Sequence, residues 1–128
     1  MTGRRVSSGG PWEASYGYSR VAVAGDMAFV AGTTDAGPDG RSLHPDDPAG
    51  QARAVFGIIE RALEQAGFGL ADVVRTRMFV TDAAHIAPIA AVHGEVFRDV
   101  RPASSAVVVA ALIDPSLLVE IEADARRS

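Results

Sequence analysis

The segment from Arg101 to Asp124 limits the possible folds of this 128-residue chain more than any other part of it. The segment opens with an Arg-Pro pair and continues into the apolar run Ala106–Leu112. After a turn at residues 114–116 it ends in an alternating segment, Leu118–Ala123. This pattern predicts two strands joined by a short turn. Because the first strand is apolar at every position, we expect both of its faces to be buried.

The second predicted strand carries a row of acids. Successive side chains of a strand point to opposite faces, so one face of this strand is acidic and the other apolar. The acidic face holds Glu120, Glu122 and Asp124, and the apolar face holds Val119, Ile121 and Ala123. Three acids in a row need either solvent or a chemical role, and the sequence pattern alone leaves both open.

Composition excludes several kinds of chemistry. The chain has no cysteine, which excludes disulfides and thiolate catalysis. All twelve basic residues are arginine, which excludes a lysine Schiff base and a Walker-type lysine. Its net charge of −4, with acids spread along the chain, disfavours nucleic acid as a partner. The three histidines have no metal-ligand spacing, so we expect no metal site.

Length and hydropathy predict a single cytoplasmic domain. A chain of this size suits one domain, which we assign to residues 1–128. No apolar run approaches the roughly 20 residues that span a bilayer, and no apolar core follows the arginines near the start. We expect residues 1–15 to be loosely ordered, apart from Trp12, which is interpreted either as a packing anchor or as a pocket wall.

The rest of the chain predicts three more strands and two helices. Strands are expected at Tyr16–Val23, Met27–Ala31 and Val73–Val80, the first two forming a hairpin. On Val73–Val80 we place Arg75, Arg77 and Phe79 on one face and Val74, Thr76, Met78 and Val80 on the other. The two arginines face either solvent or the acid row.

Both helices have an apolar stripe. The first is expected to be capped by Asp47, to start at Pro48 and to end at Gly67. The second should start near His85, with Pro88 in its first turn, and run to about Asp99. The order of elements predicts an α+β fold, a mixed sheet with both helices on one face. Its uncovered face predicts an oligomer with closed symmetry.

Taken in order, the motifs of the chain resemble those of the RidA/YjgF family, known in older naming as L-PSP endoribonucleases. The resemblance covers about residues 17–125, and its ordered motifs are Gly17-Tyr18-Ser19, Phe29-Val30-Ala31-Gly32, Gln51, Ala71-Asp72-Val73-Val74-Arg75-Thr76, Phe79-Val80-Thr81-Asp82, Arg101-Pro102-Ala103 and Val119-Glu120-Ile121-Glu122-Ala123. It implies a chorismate-mutase-like fold, a homotrimeric barrel with clefts between subunits, and neither metal nor organic cofactor.

The resemblance also implies an activity, the hydrolysis of small imines and enamines. It identifies Glu120 as the catalytic residue that positions or activates water, Tyr18 as an aromatic wall, and Ala31 and Gly32 as a backbone contact to the substrate. An iminium carbon is already electrophilic, so a carboxylate that holds one water supplies both general base and orientation.

The chain departs from the family pattern at three pocket positions. Ser104 stands where imine deaminases of the family carry a carboxylate-binding arginine. Ala31 replaces a small polar residue, and Ala106 replaces a cysteine. We therefore expect a substrate with no obligatory carboxylate, unless Arg20 or Arg101 supplies the missing charge.

Three functions follow, in decreasing order of support. The first is a RidA-like hydrolase or deaminase of a small-molecule substrate, with Ser104 and Ala106 among the substrate-binding residues. The second is a non-catalytic trimer that binds or senses a small molecule. The third is a ribonuclease, disfavoured by the acidic composition and the lack of a histidine pair for phosphodiester chemistry.

Overall fold

The computed structural model describes residues 3–127, which form one six-stranded mixed sheet with helices on one face. The strand order is β1-β2-β3-β6-β4-β5, and only the β4–β5 pair is parallel. The strands are β1 Gly3–Val6, β2 Val21–Ala24, β3 Met27–Thr33, β4 Val73–Val80, β5 Ala103–Val108 and β6 Val119–Arg126. The helices are α1 Glu13–Tyr16, α2 Pro48–Gln65 and α3 Ile86–Val96. This architecture confirms the predicted α+β class.

The first long helix, α2, forms as its sequence predicts. Asp47 is its N-cap and accepts a hydrogen bond from the Gly50 N–H at 2.9 Å, and Pro48 occupies the first helical position. The chain leaves the helix at Gly67 with a φ of +86°, a conformation that glycine adopts at little steric cost. Its apolar stripe is buried against the sheet, and so is Gln51.

The helix α3 begins almost where its proline requires. A short 3-10 turn, Ala83–His85, leads into it, and Pro88 lies in its first turn. Ile89 and Val92 are buried against the sheet and against α2. The helix ends at Val96, three residues before the predicted end.

The acid row of β6 faces the arginines of β4. The two strands are antiparallel neighbours, with Arg77 opposite Glu122. Nη1 of Arg77 lies 3.1 Å from the Glu122 carboxylate and 3.4 Å from that of Asp124. The alternative that Arg77 faces only solvent is therefore wrong. Glu122 and Asp124 are engaged in ion pairs, and this pairing distinguishes them from Glu120.

Two local predictions are corrected. The predicted strand Tyr16–Val23 is shorter, because Tyr16 ends α1 and Gly17 then turns the chain with a φ of +72°. Val74 does not share a face with Thr76, because the register against β6 shifts between Val73 and Arg75. Val74 is consequently half exposed, at 48%.

The prediction that the apolar run Ala106–Leu112 is a strand buried on both faces is wrong for the isolated chain. The strand β5 ends at Val108 and pairs only with β4, at the edge of the sheet. Val107 and Val108 are 46% and 51% exposed. Their hydrophobicity indicates burial, but a single chain offers nothing to cover this edge.

The start of the chain contains more structure than its composition predicts. β1 pairs antiparallel with β2, from Gly3 opposite Ala24 to Val6 opposite Val21. Glu13 is 4% exposed within α1. A Gly- and Ser-rich sequence has no periodic pattern that would predict β1 or the burial of Glu13. Both depend on residues that lie elsewhere in the chain.

Candidate functional site

A hollow of about 780 Å³ lies where β3 separates from β6. Here the register between the two strands shifts between Val30 and Thr33, which opens the ladder and leaves the backbone around Gly32 accessible. The hollow has largely apolar and aromatic walls, formed by Pro11, Trp12, Tyr16, Tyr18, Leu43 and Ile113. Such a lining suits an organic small molecule.

Glu120 is the acid of this hollow. It is half-buried, and its carboxylate accepts no hydrogen bond and forms no ion pair within the described residues 3–127. Burial raises the pKa of Glu120 above its ordinary value of 4.5, and the negative charge of Glu122 raises it further, while Arg20 opposes both effects. An unpaired carboxylate with a raised pKa is suited to accept a proton from bound water.

Gly32 lies directly against this carboxylate. A Cβ built on Gly32 would collide with Oε2 of Glu120 and stand 2.9 Å from its Cδ. Any side chain at position 32 must therefore displace the acid. The backbone of Gly32 is not in a left-handed conformation, so its role is to allow close approach rather than a turn.

Arg20 connects several residues at the base of the hollow through hydrogen bonds and an ion pair. Its guanidinium is 5% exposed and donates to the Gly32 carbonyl at 2.7 Å, to Thr33 Oγ1 at 3.0 Å and to Ser8 Oγ at 3.2 Å. It also pairs with Glu13 at 3.4 Å. The positive charge of Arg20 is thus paired with the Glu13 carboxylate, and its guanidinium is hydrogen-bonded to other protein groups. This arginine therefore does not provide a free anchor for a substrate carboxylate.

Two more predicted residues complete this side of the site. The guanidinium carbon of Arg20 lies over the Tyr18 ring, 5.5 Å from the ring centroid, and both residues line the hollow. Ala31 lines it as well, and its N–H bonds the Arg20 carbonyl at 2.9 Å. The structure therefore brings together four of the six predicted site residues: Tyr18, Ala31, Gly32 and Glu120.

The other two predicted residues lie elsewhere in the same chain. Ser104 and Ala106 are on β5, and the whole of β4 separates them from β6. Ser104 pairs with Thr76 and Ala106 with Met78, both of which point into the core. Glu120 pairs with Phe79 and so points to the opposite face. Two strand spacings, roughly 10 Å, and the sheet itself separate the two groups within one chain.

Arg101 precedes β5 in an unusual backbone conformation. Its φ is +55°, and its N–H caps α3 by bonding the Phe97 carbonyl at 2.9 Å. The side chain is exposed and makes no hydrogen bond to Ser104 among the described residues. Of the two arginines considered for the missing charge, Arg101 is the one whose side chain is not committed to other residues of the described chain, and it lies three residues before Ser104 in the sequence.

Sequence reasoning missed two groups of residues around the site. Glu13 and Ser8 hold Arg20 in place, and Thr76 and His93 bond Ser104. Both groups join residues that lie far apart in sequence, which no periodicity reveals. One feature of the sequence could have indicated the second group, because Thr76 is a hydroxyl residue on the apolar face of a predicted strand.

No three His, Asp or Glu side chains within residues 3–127 are grouped so as to hold a metal ion. No helix in this range is long and apolar enough to cross a membrane.

Comparison with known proteins assigns the family. The sequence profile described as Endoribonuclease L-PSP matches residues 11–127. The chain belongs to this L-PSP, or YjgF/RidA, family. It is 38% identical over 125 residues to the protein SCO2049 of Streptomyces coelicolor, a match that covers 97% of this chain and 92% of that protein. It is 34% identical to the RutC family protein PH0854 of Pyrococcus horikoshii, with 83% of each chain covered.

Solved structures of L-PSP family members superpose closely on the fold. Rv2704 from Mycobacterium tuberculosis, a YjgF/YER057c/UK114 family member, is 48% identical, with a TM-score of 0.88 and coverage of 98% of this chain and 100% of that one. The YjgF gene product of E. coli is 31% identical, with a TM-score of 0.82 and coverage of 96% and 97%. These matches confirm the family and fold predicted from the sequence motifs.

Proposed function

We propose that this family member is a hydrolase, of the deaminase type, for small imines, enamines or related metabolites. The observation that carries the proposal is the free carboxylate of Glu120. It lies half-buried beside Gly32 with a raised pKa and no protein partner among residues 3–127. Such a group holds a water molecule and takes its proton as the water attacks an iminium carbon.

In this mechanism each part of the hollow has one task. Glu120 orients and deprotonates the water, Tyr18 covers the substrate, and the open backbone at Ala31 and Gly32 contacts its polar end. Water adds to the C=N carbon to give a carbinolamine, and the nitrogen then leaves as ammonia while a carbonyl product forms. The chain's residues need no metal or organic cofactor for this sequence of steps.

We further propose that the site is completed by a neighbouring copy of the chain, in a homotrimer. Ser104 and Ala106 lie too far from Glu120, and on the wrong face of the sheet, to meet the same small molecule within one chain. The exposed apolar residues of β5 support burial of this edge against another subunit. Glu120 of one subunit then faces Ser104 of the next across a cleft.

The catalytic role is tested by turnover. Glu120→Gln keeps the shape of the side chain and removes its basicity, so we expect it to lower kcat for imine hydrolysis by about 100-fold or more. The substrates are 2-aminoacrylate and a panel of imines without a carboxylate. Glu60→Gln, on the exposed face of α2, is the control and should match the unmodified protein. Unchanged turnover in Glu120→Gln contradicts the mechanism.

The shared cleft is tested by mixing two inactive variants. Glu120→Gln disables one half of each site, and Ser104→Trp blocks the other half. If the halves come from different subunits, mixed and reassembled trimers regain activity at about a quarter of their sites, as random assembly requires. If both halves belonged to one subunit, mixing would restore no activity.

One observation supports a second candidate, a trimer that binds a small molecule without converting it. Arg20, the cation nearest the hollow's acid, is fully committed to protein groups, so the cleft lacks an obvious anchor for an anionic substrate. Saturable binding of a carbonyl metabolite with no turnover across the imine panel would favour this function over hydrolysis.

A further inference from the structure

A chain of three hydrogen-bonding side chains runs along the helix-covered face of the sheet, from α3 across β4 to the exposed Ser104 of β5. His93 Nε2 lies 2.8 Å from Thr76 Oγ1, and Thr76 Oγ1 donates to Ser104 Oγ at 2.7 Å. Thr76 is fully buried, whereas Ser104 is exposed. The three residues therefore link the interior of the molecule to the position where Ser104 meets solvent.

Filling the core does not by itself explain a threonine at position 76. Its neighbours on the same face of β4, Met78 and Val80, are apolar and buried. A buried hydroxyl without a partner costs about 1–3 kcal/mol, so an apolar residue would be the simpler choice at this position. The hydroxyl is tolerated because both of its bonds are made, and one of them ends at Ser104.

The ring of His93 is held in one orientation. It packs edge-on against Phe56 with a centroid separation of 5.8 Å, and its separation from Phe97 is 4.7 Å. Burial lowers the pKa of His93 below its ordinary value of 6.5, so the ring is neutral near pH 7. These contacts aim Nε2 at Thr76.

Thr76 Oγ1 lies within hydrogen-bond distance of both His93 Nε2 and Ser104 Oγ. When its single hydrogen is donated to Ser104, Thr76 Oγ1 accepts from His93, which requires the His93 proton on Nε2. Ser104 accepts from Thr76 and keeps its own hydrogen available. A series of aligned donors polarises its last member, which strengthens the bond that Ser104 can donate.

We propose that His93 and Thr76 are positioning residues that orient Ser104 as a hydrogen-bond donor to the substrate. With this donor the site selects a neutral oxygen acceptor, such as an amide carbonyl, over a carboxylate. The proposal rests on the proposed function, because Ser104 reaches the substrate only in a cleft shared between two subunits.

A neutral acceptor fits the electrostatics of this donor chain. Its three members are uncharged near pH 7, and a carboxylate needs charged donors to offset the loss of its hydration. Arg20 is committed to Gly32, Thr33 and Glu13. A carbonyl oxygen loses less hydration and needs only one good donor.

Pyruvamide and pyruvate are suitable probes, because they differ only in carrying an amide or a carboxylate. Binding to the intact protein is followed by NMR, through the backbone amide shifts of Ser104 and Gly32. We expect pyruvamide to bind more tightly than pyruvate. Thr76→Val should weaken pyruvamide binding about fivefold, the effect of losing one oriented hydrogen bond, while Thr76→Ser keeps the hydroxyl and the affinity. Ser104→Arg should reverse the preference and favour pyruvate.

The variants of His93 separate orientation from packing. His93→Phe fills the space between the two phenylalanines but removes the donor, so it should weaken pyruvamide binding as Thr76→Val does. His93→Gln places an amide N–H near the position of Nε2 and should retain most of the affinity. In a Ser104→Ala background neither Thr76→Val nor His93→Phe should weaken binding further, because both act through Ser104.

Several results would overturn the proposal. They are no measurable binding of either probe, equal or tighter binding of pyruvate by the unmodified protein, and undiminished pyruvamide binding in Thr76→Val. An NMR spectrum with the His93 proton on Nδ1 instead of Nε2 would also contradict it. Unchanged imine turnover in Glu120→Gln beside the expected Thr76 and Ser104 effects would instead reject the proposed mechanism and leave this donor chain in place.

Discussion

Glu120 has no ion-pair partner among residues 3–127, and the residue opposite it on β4 is Phe79. Two residues along the same strand face, Glu122 forms an ion pair with Arg77, and no such partner reaches Glu120 within the described residues. Its folded-state pKa is raised, so the protonated form stabilises the fold at low pH. This contribution is lost as pH rises from the ordinary pKa of 4.5 through the raised folded value. At neutral pH the ionised acid therefore lowers stability, and the catalytic role that we propose for it would account for its presence.

The raised pKa predicts the stability of a variant without the charge. Glu120→Gln should be more stable than the unmodified protein at pH 7, and the difference should shrink as pH falls through the raised pKa to 4.5, because the glutamate then also becomes neutral. Urea unfolding at the two pH values, at one fixed protein concentration, measures this. Lower stability of Glu120→Gln at pH 7 would contradict the assignment of an unpaired, desolvated acid.

The same pKa predicts the acidic limb of activity. Hydrolysis needs ionised Glu120, so kcat/KM should rise with pH through a pKa above 4.5. Because the charge of Glu122 raises this pKa, Glu122→Gln should move the limb to lower pH. Glu95→Gln, on the exposed surface of α3, is the control and should leave the limb in place. A limb that does not move in Glu122→Gln would show that another group titrates.

Gly32 provides a further residue-scale prediction. Gly32→Ala places a methyl group against the Glu120 carboxylate, so we expect activity to fall about as far as in Glu120→Gln. The free energy of unfolding should change little, because the carboxylate lies at the end of a flexible side chain that can move aside. Gly94→Ala adds the same methyl group on α3, where no atom lies within 4 Å, and should stabilise by up to about 1 kcal/mol. Full activity in Gly32→Ala would show that the acid tolerates displacement.

At the scale of elements, the N-terminal segment is part of the site. Glu13 of α1 accepts hydrogen bonds from Ser8 and from the Gly10 N–H, and it pairs with Arg20. Burial raises the pKa of Glu13, but these hydrogen bonds and the arginine outweigh burial and lower it below 4.5. Through the bond from Arg20 to the Gly32 carbonyl, α1 and the aromatic wall at Trp12 are fastened to the end of β3.

Breaking this connection should loosen the segment. Glu13→Ala leaves the Arg20 guanidinium buried without its acid, and we expect a loss of about 3 kcal/mol in the free energy of unfolding. Limited proteolysis should then cut within residues 7–16, where the unmodified protein resists cleavage. Glu60→Ala, on the solvent face of α2, should change neither measurement. A stability loss below about 1 kcal/mol would place Glu13 among ordinary surface ion pairs.

At the scale of the whole molecule, a single chain leaves apolar residues exposed at one edge and on one face of its sheet. β5 is an edge strand with two half-exposed valines, and Phe29 is 45% exposed on the face of the sheet that carries no helix. Edge strands of this kind associate with other chains unless they are covered. Closed oligomerisation would cover the edge and would also bring Ser104 to the hollow of a neighbouring subunit.

This arrangement predicts that assembly and activity are lost together. Val107→Glu places a charge on the apolar edge, so we expect monomers in analytical ultracentrifugation and loss of imine hydrolysis, with the secondary structure intact by circular dichroism. Ala91→Glu, on the exposed face of α3, should remain a trimer and stay active. A trimer in Val107→Glu, or an active monomer, would contradict the shared cleft.

The fold was predictable where the sequence pattern is local. The capped start and glycine end of α2, the bounds of β4 and the two-faced character of β6 all follow from periodicity and turn chemistry within about 20 residues. The resemblance to the family then predicted Glu120 and Gly32 as site residues, and both line the same hollow. Less predictable was the start of the chain, where β1 and the Glu13–Arg20 pair depend on partners that composition does not reveal.

The sequence by itself determined the α+β class, the two helices, the acid row of β6 and the membership in the L-PSP family. Only the tertiary structure decided that Arg77 pairs with Glu122 while Glu120 has no such partner within residues 3–127, and that Arg20 is bound to other protein groups. It also decided that Ser104 lies on the face of the sheet opposite Glu120, bonded through Thr76 to His93. The physical reason is that periodicity records which face of its own element a residue occupies. Strand order and register determine which side chains meet, and they depend on contacts between residues far apart in the chain.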